Sequence, residues 1–172
     1  MARRAFPYAM CREVFALKIN KKLLIICLVI PLAVGGIAAL LTGGGMDTFE
    51  TLRKPPLSPP GWLFPVAWTI LYLLMGLASY LVLESRGPEV IIRRGIRLYA
   101  VQLAFNFLWP IFFFGLKWYL FAFIWLVALW ILILLTLIEF RRVSKASAYL
   151  MLPYLAWVAF AGYLNIGIYL LN

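Results

Sequence analysis

The chain opens with a mixed, basic segment and then turns apolar five times. The apolar stretches run from Leu23 to about Gly45, Trp62–Leu83, Leu98–Leu116, Trp118–Ile138 and Ala146–Leu171, and none of them contains Asp, Glu, Lys or Arg. Each is close to the roughly 20 residues a helix needs to cross a hydrocarbon layer. Backbone N–H and C=O groups in lipid must pair within their own segment, so helices are expected rather than strands. The alternating segments of about ten residues that mark a membrane barrel are missing. The pattern predicts an all-α, integral membrane bundle of five transmembrane helices over residues 23–172, with a basic N-terminal extension at 1–22.

Composition agrees. Hydrophobic residues make up 66% of the 172 and charged residues 13%, against about 45–50% and about 25% in an ordinary soluble domain. A soluble globule of this size could not hide so much apolar surface. The formal net charge of +10 divides by side. Thirteen of the sixteen Lys and Arg fall in residues 1–22, in the segment between spans two and three, or in that between spans four and five; only Arg53, Lys54 and Lys117 fall on the other side. Basic residues are retained in the cytoplasm during insertion. The N-terminus is therefore expected inside and the C-terminus outside. The charge records orientation, and no nucleic-acid partner is expected.

The extension 1–22 has three readings. It is a solvated anchoring tail, an interfacial helix carrying Met10, Val14 and Leu17 on one face, or the start of a signal peptide. Cys11 and Cys27 are the only cysteines, one in the extension and one in span one, so neither a disulfide nor a metal site is expected. Histidine is absent, which removes the commonest general base, metal ligand and axial haem ligand. Uncharged spans and the lack of an internal repeat speak against ion-coupled transport.

The spans are rich in aromatic residues instead. In span three, Tyr99, Gln102, Asn106, Trp109 and Phe113 step by three and four and share one face. Pro110 frees the carbonyl of Asn106 and favours a kink. Tyr154, Trp157, Ala161, Asn165 and Ile168 form a similar stripe in span five, where Pro153 is expected to loosen the start. Span two offers Pro65, Trp68, Tyr72, Gly76 and Ser79. Two readings stand. The amides hold helices together, or they are the convergent polar groups of a mostly apolar pocket for a large, flat ligand. The segment Leu52–Trp62, LRKPPLSPPGW, is stiffened by four prolines, with Trp62 at the outer interface. It reads as a rigid connector or as a lid over the pocket mouth.

Three motifs carry a resemblance: KPPLSPPGWLFPVAWTILYLLMGLASYLV at 54–82, YAVQLAFNFLWPIFFFGL at 99–116 and PYLAWVAFAGYLNIGIYLLN at 153–172. In this order they resemble the family of bacterial tryptophan-rich sensory proteins and mitochondrial translocator proteins (peripheral benzodiazepine receptors). The likeness covers about residue 23 to 172. It implies a five-helix homodimer in contact with membrane lipids, with a pocket beneath the loop joining spans one and two. The implied ligands are porphyrins such as protoporphyrin IX and, in some members, haem, cholesterol or isoquinoline-type compounds, with no obligatory cofactor. Family tryptophans implicated in porphyrin binding and light-dependent breakdown fall on Trp68 and Trp157, and the span-three amide and Trp on Asn106 and Trp109. The candidate ligand-binding set is Trp62, Trp68, Tyr72, Asn106, Trp109, Phe113, Tyr154, Trp157, Ala161 and Asn165. No catalytic or metal-ligating residue is assigned.

The sequence also departs from the family pattern. Thr48-Phe49 stands where many members have Trp-Tyr, Trp125 occupies a place often acidic, and no basic residue follows Lys145 to complete a sterol motif. Binding as a sensor, regulator or carrier is the leading functional expectation. Transport across the membrane and light-dependent porphyrin degradation are the alternatives.

Overall fold

A computed structural model describes residues 19–43 and 45–172. The extension read as tail, interfacial helix or signal peptide, with Cys11, lies outside the described residues. The elements are α1 (Lys21–Leu41), a short α2 (Gly45–Thr51), α3 (Leu63–Leu83), α4 (Glu89–Pro110) continued by a π-helical turn (Ile111–Gly115), α5 (Tyr119–Val143) and α6 (Lys145–Leu171). Among the described residues there is no strand. Five helices are long and apolar enough to cross a membrane: α1, α3, α4 with its π turn, α5 and α6. The all-α five-span expectation therefore holds.

The span ends differ from the apolar pattern, each for a local reason. Helix α1 stops at Leu41, short of the glycine run, and the Thr42 hydroxyl donates to the Ala38 carbonyl at 2.9 Å in the closing turn. Gly43 lies in that turn and Gly45 opens α2. Helix α4 begins at Glu89, well before Leu98, behind Pro88. Glu89 suits the first turn of a helix and pairs with Arg93 one turn on. Helix α5 continues past Ile138 through Glu139, Arg141 and Arg142 to Val143, where basic side chains complement the negative end of the helix dipole. Ser144 then caps α6, accepting from the Ser147 N–H at 3.3 Å. Pro153 does not interrupt α6.

The spans form a ring in which α1 packs on α3, α3 on α6, α6 on α5 and α5 on α4, with a sparser seam between α4 and α1. The shared core holds Met75, Leu126, Leu129, Ile133, Met151 and Tyr154. Two glycines draw α1 and α3 together. A Cβ on Gly76 would stand 2.6 Å from the Cys27 carbonyl oxygen, and one on Gly35 would enter the Tyr72 ring. Toward the α2 end the same two helices flank the cavity described below.

One charge is placed where the sequence pattern put none. Glu139, the residue after the fourth apolar stretch, is 4% exposed. Its carboxylate lies 3.4 Å from Arg94 on α4 and 3.4 Å from Arg142 on its own helix. A buried carboxylate needs such partners to offset its lost hydration, and here they join the start of α4 to the end of α5.

Candidate functional site: an aromatic cavity beneath α2

A cavity of about 470 Å³ lies between α1 and α3, bounded also by α4 and by α2. This is within the usual range for small-molecule sites, about 300–1,000 Å³. Its aromatic walls are Phe64, Trp68, Tyr72, Trp109 and Phe114. Helical spacing on α3 puts Trp68 and Tyr72 one turn apart, their rings stacked with centroids 5.5 Å apart. The π turn adds a residue to α4 just after Pro110, with the Leu116 N–H reaching back to the Ile111 carbonyl at 2.9 Å. It leaves Phe114 against the start of α2, where a Cβ on Gly45 would stand 2.9 Å from the ring.

The cavity floor is a hydrogen-bonded chain through three helices. The Tyr72 hydroxyl donates to Asn106 Oδ1 at 2.7 Å, Asn106 Nδ2 donates to the Tyr154 hydroxyl oxygen at 3.1 Å, and that hydroxyl donates to Gln102 Oε1 at 2.8 Å. Both readings of the stripe amides thus meet at Asn106. It ties α3, α4 and α6 together, and it lines the cavity. Each bond uses only part of the capacity of an amide or a phenol, so Asn106 keeps a donor hydrogen and Tyr72 a lone pair.

The predicted residues divide into groups. Trp68, Tyr72, Asn106 and Trp109 line the main cavity. Phe113, Ala161 and Asn165 line a void of about 20 Å³ beside it, behind a wall of Phe64, Trp109 and Phe114 shared by both. Tyr154 acts beneath Asn106, and Trp157 packs edge-on against Phe64 at 6.0 Å. Trp62 is 66% exposed and takes no part in either lining. Asn165 is 1% exposed, and among the described residues neither its Oδ1 nor its Nδ2 has a hydrogen-bond partner; the same is true of the buried indole N–H groups of Trp109 and Trp157.

The sequence reading missed the α1 wall, Leu32, Gly35, Gly36, Ala38 and Ala39, and the α2 carboxylate Asp47. The i, i+3, i+4, i+7 spacing of Leu32, Gly35, Gly36 and Ala39 was the available signal. Trp125 anchors α5 to α4, donating its indole N–H to the Phe105 carbonyl at 2.9 Å and stacking on that ring at 4.1 Å.

The proline segment is fastened to the end of α6. Asn172 Oδ1 accepts from the Arg53 N–H at 3.0 Å while its Nδ2 donates to the Arg53 carbonyl at 3.0 Å. The Tyr163 hydroxyl donates to the Pro56 carbonyl at 2.8 Å, and Pro55 fills the notch at Gly167. At the end of α2, Glu50 pairs with Lys54 at 2.7 Å, and Lys54 lies 4.7 Å over the Phe49 ring. The hydrogen bond from Lys54, with its charge, holds the Glu50 carboxyl below the usual carboxylate range. No group of three or more Cys, Asp or Glu able to hold a metal ion occurs among the described residues.

Residues 27–171 match the model of the TspO/MBR family. The chain belongs to that family. It is 42% identical over 156 residues to the tryptophan-rich protein TspO of Chlorobaculum tepidum, covering 89% of this chain and 99% of that one. It is 36% identical to the protein CrtK of Rhodobacter capsulatus, covering 80% and 85% of the two chains. It is 40% identical to the translocator protein of Ovis aries, covering 73% and 75%. This TspO/MBR chain is therefore a membrane protein, and its cavity lies among the spans that the family shares.

Proposed function

We propose that this TspO/MBR protein binds a flat, largely apolar ligand of the tetrapyrrole class in the cavity beneath α2, and acts as a sensor or carrier of it. The observation that carries the reading is the pairing of stacked Trp68 and Tyr72 faces with the Asn106 amide in one cavity of about 470 Å³. Aromatic walls stack on a planar ring, and one amide and one phenol fix its edge. In the proposed pose Trp109 and Phe114 cover the opposite face, and Asn165 with the Trp109 indole N–H meets any group that reaches past them. The working form is proposed to be a homodimer in a bacterial cytoplasmic membrane, with the basic helix ends inside. The relatives called translocator proteins favour carriage as a second reading.

The test is a titration with protoporphyrin IX, followed by tryptophan quenching in lipid nanodiscs. Trp68→Leu and Asn106→Leu are each expected to weaken binding about tenfold or more, the loss of one ring face or one buried polar contact. Asp47→Asn is expected to strengthen it, because a carboxylate in the lining repels the ligand's propionates. Unchanged affinity in both the Trp68 and Asn106 variants overturns this assignment.

A further inference from the structure

We propose that the ligand enters sideways, from the bilayer leaflet on the α2 side, through a mouth between α1 and α3, and not past the lid. The proposal rests on the binding reading above.

The lid is fastened. Lifting the proline segment breaks the two-way Asn172–Arg53 pair and the Tyr163–Pro56 bond and withdraws Pro55 from Gly167. Lifting α2 also exposes Phe49, which is 2% accessible and meets Phe64 edge-on at 5.0 Å.

The side wall is open. Gly36 and Ala39 of α1 and Pro65 and Thr69 of α3 line the cavity and are also exposed on the flank of the bundle, within the spans. All four are small. The Thr69 hydroxyl already donates to the Pro65 carbonyl at 2.8 Å, so the threshold offers no free donor to a passing apolar ring. A Cβ on Gly36 would find nothing within 4 Å, which is the space a mouth requires. Helix α1 is also the least buried span, with only Cys27, Pro31 and Ala38 inside, and its seam with α4 is sparse. The wall beside the mouth is therefore the wall most free to move. The polar groups, Tyr72 and Asn106, lie at the cavity's inner side, where an edge leading the entry would meet them. The class of ligand follows from the route: one that dissolves in hydrocarbon and carries a small polar edge.

The experiment is stopped-flow quenching with protoporphyrin IX, using the full chain in phosphatidylcholine nanodiscs. Gly36→Phe and Ala39→Phe fill the mouth from two positions, and Asn172→Ala unfastens the lid. Both Phe variants are expected to slow association by about tenfold and to slow dissociation with it, because a blocked passage acts on both directions. Asn172→Ala is expected to leave both rates nearly unchanged. Faster association in Asn172→Ala, with unaltered rates in the two Phe variants, overturns the proposal in favour of the lid route. Weaker binding through faster dissociation alone in the Phe variants also overturns it, since these residues then act only as cavity wall and gate no passage. No saturable quenching in the unaltered protein overturns the binding reading itself.

Discussion

Replacing Gly76 with alanine adds one methyl group at the tightest point between α1 and α3. The new carbon would stand 2.6 Å from the Cys27 carbonyl oxygen and 2.8 Å from Leu28 Cα. Both atoms are backbone, so no side chain can turn aside, and the helices must separate by several tenths of an ångström to reach ordinary contact. Overpacking of this kind costs about 1–3 kcal/mol. Alanine returns up to about 1 kcal/mol through its better helix propensity, leaving a net loss of about 0–3 kcal/mol with a midpoint of about 1.5 kcal/mol. In a chain of this size that midpoint lowers the melting point by about 3–6 °C. Gly36→Ala is the control, because the same methyl there meets no atom within 4 Å; it is expected to melt at or slightly above the unaltered protein. Thermal melts in detergent measure the global effect. Reaction of Cys27 with a thiol dye, in a Cys11→Ser background, measures the local one, since Cys27 is 5% exposed at this crossing. Gly76→Ala melting no lower than the unaltered protein, with Cys27 equally protected, would refute the reasoning.

Other outcomes follow from the site. Tyr72→Phe and Tyr154→Phe are each expected to destabilise by about 1 kcal/mol. A double-mutant cycle should show that they couple through Asn106, since both hydroxyls bond the same amide; strict additivity in chemical unfolding contradicts a shared chain. Asn165→Leu replaces an unpartnered buried amide by a similar apolar volume, so it is expected to raise stability by about 1–2 kcal/mol while weakening protoporphyrin binding; a stable variant with full affinity removes Asn165 from the site. Because the Glu50 carboxyl is held low by Lys54, their pairing is present above the ordinary carboxylate pKa of 4.5 and is lost as pH falls through the lower folded value. Hydrogen exchange at 49–56 should rise on acidification through that window, and a Glu50→Gln variant should not show the rise.

The bundle was legible because lipid imposes one rule on every span: a long run of apolar residues without charge. That rule locates hydrocarbon, not helix ends. It therefore missed the extra turns at Glu89–Arg97 and Glu139–Val143, where the helix continues beyond the apolar run on its own hydrogen bonds. The stripes on α4 and α6 could be read from helical phase, and Tyr99, Gln102, Asn106, Trp109 and Phe113 are all buried as that phase requires. The α1 wall was not legible in the same way. Most of its lining positions are glycines and alanines, whose part in a site is the space they leave, and that space depends on how α3 crosses them. The absence of Trp62 from the linings and the burial of Glu139 likewise depend on neighbours distant in sequence, and a pattern along one helix carries no information about them.

The π turn at Ile111–Gly115 has a consequence for how relatives of this chain can diverge. A π turn is an α-helix that has absorbed one surplus residue. Deleting a single residue there would restore α geometry and rotate the downstream residues by about 100°, carrying Phe114 off the partition between the two voids. A change of length, with every wall residue keeping its identity, would thus merge or reshape the compartments. In this part of the chain, insertions and deletions are as direct a route to a new ligand preference as substitutions.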